Sequence, residues 1–581
     1  MMLNKNILFS LSLLLVPASA KQIQNTKRNL GITSTAKGCT LMVASRFRAD
    51  RSLLNYGHEI LECLIDPIDT EGIVGFTLPI RGTKWQIESL KKMVHDGVII
   101  PGTSLLNYKL ATLTPDCVQL PVDLNVIEAV ETVVDLSDGT VNHVAGNLDG
   151  SLRTAESTIE KTKSYAVSTI GQKKALVVKV KDSVGKTVAD SPEVISNALF
   201  CTDEDVISLT NNLNMCSNDV FTIGPGDITV PSLTSPNADG VIEVDIHLSL
   251  EGNSPALIKN AITAAVNTKL GFSLPGPYDH VFYLLEDCYY DCGWGAYSYV
   301  NHWLSVYQSK YYKHIGVVMH EIGNNLGLGY SGGLDDVFDS DYTGIMGNPF
   351  HHDSGLCYNP AKNWQLGWFD SHKITVNPLN GPVTVELFGT TDASINPKNI
   401  PVVLKIETGT LADLYVGFNH GFGDATIEVL DELVVVEAGL NGEAYSQSYL
   451  KAHLLTDETY ICKDFGGLGL ELKITPIDID LDSTHPYALI NIELEGHSLV
   501  DINANLENFA DAEADVSLSD GLNTNLDVDV LGDAIEVDAN LDIGKEQDAD
   551  DLNIVPVVCN TLTDKLSCRS NGCAWLFGKC C

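Results

Sequence analysis

Val317-Val318-Met319-His320-Glu321-Ile322-Gly323-Asn324-Asn325-Leu326-Gly327-Leu328-Gly329-Tyr330 is the stretch whose reading decides the fold. On an α-helix, side chains at i and i+4 lie on one face, one above the other. Taking His320 as i, Glu321 stands at i+1 and Asn324 at i+4. Gly327, at i+7, suits a left-handed helix end, which glycine adopts without a Cβ penalty. The chain then swings back to present Tyr330 at i+10. Sixteen residues beyond that tyrosine, Gly344-Ile345-Met346-Gly347 supplies a second, shorter signal.

This frame has a known chemical use. In zinc peptidases of the His-Glu-x-x-His-x-x-Gly-x-x-His type, imidazoles at i and i+4 reach one ion and a third arrives at i+10. The glutamate at i+1 takes the proton from the metal-bound water. Here His320, Glu321 and Gly327 keep their places, while Asn324 and Tyr330 stand where two ligands belong. Zinc prefers imidazole, thiolate and carboxylate, so a neutral carboxamide is a poor donor. Tyr330 could serve only as a phenolate, which a nearby cation favours. Other donors lie close in sequence: Asp335, Asp336 and Asp341 before the methionine turn, and His351 and His352 after it. The simpler reading places them on a loop surface. Alone, a degenerate His-Glu pair is weak, because a single histidine on an apolar helix is usually a core residue.

The neighbouring segments change those odds. Pro277-Tyr-Asp-His-Val-Phe-Tyr, Gly293-Trp-Gly-Ala-Tyr-Ser-Tyr and Cys357-Tyr-Asn-Pro-Ala-Lys-Asn-Trp flank the helix. Upstream stand Val177-Val-Lys-Val-Lys and Ser191-Pro-Glu-Val-Ile-Ser; downstream stand Tyr415-Val-Gly-Phe-Asn419 and Ser446-Gln-Ser448. In order and spacing these resemble the gametolysin family of metzincin-type zinc metallopeptidases, over about residues 175–495. The resemblance implies a secreted endopeptidase that uses zinc on extracellular or cell-wall glycoprotein. Carried over by position, His320 is a metal ligand, Glu321 the catalytic base and Met346 the turn methionine. Asn324 and Tyr330 occupy the substituted ligand positions.

The bulk properties fit export. With 36 Lys+Arg against 76 Asp+Glu, the 581-residue chain carries a formal charge of −40. Such a surface repels phosphate, which excludes nucleic acid and anionic lipid as partners. Lys5, the apolar run Ile7–Val16 and Ala18-Ser19-Ala20 follow the grammar of a secretory signal peptide. That run is too short to span a bilayer, which needs about 20 residues. Fourteen cysteines in an exported chain read as disulfides.

The expected fold is an α/β metzincin-like peptidase domain followed by an antiparallel β-sandwich and preceded by a β-rich domain. An acidic linker and a small disulfide module close it. The boundaries are 1–20 signal peptide, 21–130 β-rich region and possible prodomain with a helix near Trp85–His95, and 131–174 connector with a helix around Thr154–Ser164. There follow 175–372 peptidase domain, 373–500 sandwich, 501–552 acidic low-complexity segment and 553–581 cysteine-rich module. The acidic segment holds sixteen carboxylates and one lysine, and self-repulsion marks it as a solvated spacer. A weak calcium-binding or polycation-binding tract is a sharper alternative, and the alternation of Leu526, Val528 and Val530 leaves marginal β-structure as a third.

The functional expectation is a secreted homologue of the family that acts on or binds extracellular or cell-wall proteins, with impaired or lost zinc-dependent hydrolysis. One alternative is an active zinc endopeptidase with a rebuilt metal site. Another is a structural protein that assembles through the acidic tract and cysteine module.

Overall fold

The computed structural model describes residues 168–496 except 203–206, 229–239, 287–293, 336, 348–355, 392–399, 411, 421–428, 440–445 and 484–485. Ahead of these it describes parts of 38–155, and behind them 524–531, 534–541, 575–576 and 579–580. The expected signal peptide lies outside the described residues. Among them, no helix is long and apolar enough to cross a membrane.

The N-terminal region supplies β1 (Gly38–Arg48), β2 (Ile60–Ile65), β3 (Phe76–Arg81), α1 (Lys84–His95), β4 (Leu105–Asn107), β5 (Thr112–Leu113) and β6 (Val118–Gln119). The helix expected near Trp85 is α1. Strands β7 (Val130–Asp135), β8 (Val141–Val144) and β9 (Thr154–Ala155) follow. At Thr154–Ala155 a strand therefore replaces the start of the expected connector helix, because β9 pairs antiparallel with β8. The rest of that helix falls outside the described residues.

The central region begins with β10 (Gly171–Lys181), α2 (Pro192–Phe200), α3 (Leu209–Ser217), β11 (Phe221–Pro225) and β12 (Val241–Asp245). It continues with α4 (Pro255–Leu270), β13 (His280–Leu285), β14 (Trp294–Tyr299), β15 (Leu304–Gln308) and α5 (Ile315–Asn325). Ala175 to Val180 on β10 is a near-continuous apolar run, as a parallel strand covered on both faces requires. Ala175 and Val177 join a core beneath α2, α3 and α5, while Leu176, Val178 and Val180 join a second core beneath α4. Helix α4 buries Ile258, Ile262, Val266 and Leu270, one stripe at four-residue spacing. Ser254 caps its start and left-handed Gly271 ends it.

Strands β10 to β13 and β15 pair in parallel, whereas β14 runs antiparallel to β15. The sheet does not stop at β14. Strand β1 pairs antiparallel with its other edge, so the N-terminal strands and the central strands share one 15-stranded sheet.

After α5 come β16 (Ser331–Gly332), α6 (Pro360–Leu366), β17 (Lys373–Val376), β18 (Val383–Phe388), β19 (Val403–Ile406), β20 (Ala412–Asn419), β21 (Glu432–Gly439) and β22 (Ser448–Leu454). Strands β23 (Tyr460–Phe465), β24 (Leu470–Asp480) and β25 (Tyr487–Glu495) complete the region. They form a six-stranded sheet in the order β16-β22-β21-β20-β19-β17 and a four-stranded sheet β18-β25-β24-β23. The whole is a mixed α/β, sheet-rich structure with few helices.

Residues 497–581 form a unit of their own. Within it β26 (Thr524–Leu531) and β27 (Ala534–Leu541) make an antiparallel hairpin, and β28 (Trp575–Leu576) pairs with β29 (Lys579–Cys580). Part of the stretch expected as a spacer is thus strand, in keeping with its period-two alternation. The remainder of the acidic tract, for which calcium binding was an alternative reading, lies outside the described residues.

Candidate active site

Helix α5 is buried along its whole length. Its C-terminal end is held by neighbours on three sides. Asn325 donates from Nδ2 to the carbonyls of Tyr299 (2.9 Å) and Leu304 (3.0 Å), tying the helix to the β14–β15 hairpin. The Tyr358 hydroxyl donates to the Met319 carbonyl at 2.7 Å, and a disulfide joins Cys357 to Cys216 of α3. Leu326 caps the helix and Gly327 takes φ +86°. A Cβ there would meet the Asn301 Oδ1 at 2.2 Å, so both backbone conformation and space demand glycine.

The turn carrying Met346 packs directly against α5. A Cβ on Gly323 would meet the Met346 Sδ at 2.3 Å. The ring of His320 lies 2.9 Å from the Ile345 carbonyl, to which Nδ1–H donates. This bond places the lone pair on Nε2, as metal-binding histidines commonly arrange. Burial pushes the imidazole down to about 4, against a small upward pull from Ile345, so the ring is neutral.

Glu321 is fully buried. Its Oε2 accepts from the Ser298 hydroxyl and, at 3.5 Å, from Asn324 Nδ2. Its Oε1 is buried with no hydrogen-bond partner. Desolvation raises this carboxyl to about 8, and the two donated bonds offset only part of that rise. Asn324 turns its nitrogen toward Glu321 and leaves Oδ1 buried and unpartnered.

Tyr330 sits with its ring centroid 5.7 Å from that of His320, and edge-on to Phe338 at 5.2 Å. Its hydroxyl is hydrogen-bonded to Ser45 Oγ of β1. Burial holds the phenol far above its usual range, so it is a neutral hydroxyl. His320, Glu321, Asn324, Tyr330 and Met346 thus converge on one buried locus around the end of α5.

The donors at this locus do not fit zinc. They are one neutral imidazole, one carboxamide oxygen and one phenol that already has a partner. Among the described residues, no group of three or more His, Cys, Asp or Glu could hold a metal ion. Of the alternative ligands considered from sequence, Asp335 and Asp341 are taken up by hydrogen bonds of their own. Asp341 is buried but accepts from Thr343 N (2.8 Å), Thr343 Oγ1 (2.6 Å) and Asn359 Nδ2 (3.0 Å). Asp335 accepts from Val337 N at 3.1 Å and from the Ser340 hydroxyl. Asp336, His351 and His352 lie outside the described residues.

Two contributors carried no chemical signal in the sequence. Ser298, on β14, holds Glu321. Ser45, on β1, reaches Tyr330 from 285 residues away.

Residues 176–399 match the family model described as gametolysin peptidase M11, which supports membership of that family through this region. The match ends before residue 495, where the resemblance in sequence was expected to reach. No curated protein sequence matches the chain. A crystal structure of wild-type OgpA from Akkermansia muciniphila is similar at 13% identity, over 51% of this chain and 96% of that one, with a TM-score of 0.25.

Proposed function

We propose that this protein is a secreted gametolysin-family homologue that binds extracellular or cell-wall protein chains and has lost zinc-dependent hydrolysis. The observation that carries the reading is the donor set: a carboxamide at i+4 and a buried, neutral, hydrogen-bonded phenol at i+10. With one imidazole remaining, the ion that would polarise a scissile carbonyl has no adequate hold. The carboxyl of Glu321 is left in a desolvated pocket, hydrogen-bonded to Ser298 and Asn324.

The architecture belonging to this reading is a metzincin-type domain over 175–372. Its lone antiparallel strand is β14, and the two sheets of 373–500 are the sandwich behind it. Glu321, His320, Asn324, Tyr330 and Met346 are the remnant of the catalytic centre. The disulfides Cys39–Cys63 and Cys216–Cys357 support export, since such bonds persist in oxidising compartments.

Elemental analysis of the purified full chain, paired with proteolysis of an extracellular glycoprotein, tests the proposal. Substoichiometric zinc and no cleavage above that of Glu321→Gln are expected. One zinc per chain, with cleavage stopped by a chelator and by Glu321→Gln, would overturn it.

A further inference from the structure

Two segments of the family resemblance, Cys357-Tyr-Asn-Pro-Ala-Lys-Asn-Trp and Ser446-Gln-Ser448, meet beside the candidate site. Asn359 caps α6, its Oδ1 accepting from Lys362 N at 3.1 Å. Its nitrogen faces outward from the helix start to three acceptors. Asn359 Nδ2 lies 3.0 Å from Asp341 Oδ2, 3.1 Å from Ser331 Oγ and 3.2 Å from Ser448 Oγ. The two serine hydroxyls are themselves bonded at 2.9 Å. Ser331 opens β16 directly after Tyr330, Asp341 lies on the loop leading to Met346, and Ser448 opens β22.

Lys362 makes the second tie. Its Nζ donates to the Ser446 carbonyl at 2.5 Å. That carbonyl rests on Gly329, where a Cβ would meet it at 2.7 Å, so the two backbones approach only because residue 329 has no side chain. Ser448 N then donates to the Tyr330 carbonyl at 3.1 Å, and Ser331 pairs with Ser448 in register. Gln447 Nε2 donates to the carbonyl of Phe338, whose ring stands edge-on to Tyr330.

All of this is buried. Ser331, Asp341 and Ser448 are inaccessible, and Lys362, Asn359 and Ser446 are 1%, 2% and 3% exposed. Burying a lysine strips water from its nitrogen and freezes a long stem. An apolar side chain would fill the same space at less cost, so a lysine here is explained by the bond that its nitrogen makes.

We infer that Asn359 and Lys362 are positioning residues of the candidate site. Acting through Ser331 and Ser446–Ser448, they hold the turn Leu328–Ser331 and with it Tyr330. The six-stranded sheet is thereby a working part of the site. The inference stands on the geometry around the end of α5 and does not depend on whether the site holds zinc.

Amide exchange of the full chain tests it, expressed as protection factors so that the intrinsic pH dependence of exchange cancels. Lys362→Met keeps the length of the stem and removes the nitrogen. Protection over 328–331 should fall at least tenfold, with β10 and β13 as protected as in wild type. A pH profile supplies a signature that packing alone would not. Burial lowers the Lys362 ammonium to about 7 against the pull of Asp341, the charged group that faces it. In the released turn it regains its ordinary 10.5, so between the two values the released form binds more protons than the held one. Protection over 328–331 should therefore rise from pH 7 to 9 in wild type, by at most about tenfold per unit, and stay flat in Lys362→Met. Unchanged protection in the variant would overturn the inference, as would a wild-type profile as flat as the variant's.

If Lys362→Met also loses protection across β10 and β13, the variant has lost its fold, and Asn359→Ser replaces it. Serine still caps α6 but is too short to reach Asp341 and Ser448 together. Protection over 328–331 should fall severalfold while 360–366 stays as in wild type; unchanged protection over 328–331 would overturn the inference.

Discussion

The hydroxyl of Ser45 is hydrogen-bonded to that of Tyr330 across 285 residues of chain, beside the ring of His320. This bond gives the buried phenol a partner on strand β1. Tyr330 serves as a buried link to the N-terminal strand, and its burial keeps the proton that a metal-binding phenolate must lose.

Restoring the missing imidazoles should restore the metal. Asn324→His with Tyr330→His should raise zinc affinity by about two orders of magnitude or more, since single perturbations of such sites already cost about 10–100-fold. Competition against a chromogenic chelator measures this. No gain over wild type would mean that the helix end no longer has the geometry of a zinc site.

Gly327→Ala should destabilise the protein by about 1–3 kcal/mol, because a Cβ meets both a left-handed backbone and the Asn301 carboxamide. Urea unfolding gives the value. A neutral result would show that Asn301 can move aside and that the turn tolerates a side chain.

Gly323 and Met346 should be coupled. Gly323→Ala pushes on the sulfur and should cost about 1–3 kcal/mol, while Met346→Ala leaves a cavity and should cost about 2–5 kcal/mol. The double variant should cost less than the sum by about 1 kcal/mol or more, as the new methyl enters the vacated space. Strict additivity would separate the methionine turn from the helix.

Stability should respond to Lys259 at alkaline pH. Burial lowers this ammonium to about 8, with Glu62 pulling the other way, and Tyr299, His302 and Thr77 also face it. Its folded pKa lies below its ordinary value of 10.5, so between the two the unfolded chain binds more protons than the folded one. Stability from this group therefore rises with pH across that window, by at most about 1.4 kcal/mol per unit. The difference between wild type and Lys259→Met, followed by urea titration from pH 7.5 to 10, isolates it from the tyrosines. A pH-independent difference would remove Lys259 as the cause.

Local features were legible in the sequence because they depend on neighbours in the chain. The spacing of His320, Glu321, Asn324 and Gly327 marked a helix and where it stops. Gly344-Ile-Met-Gly marked the turn beneath it, and the apolar run of β10 marked a buried strand. Tertiary structure alone decided what covers that helix. Nothing within Cys39-Thr-Leu-Met-Val-Ala-Ser45 says which sheet edge it joins, because strand pairing is set by backbone groups that every residue carries and by a register that depends on the partner's side chains. Hence Ser45 reached Tyr330, Glu62 reached Lys259, and strand β1 joined the sheet that carries β14.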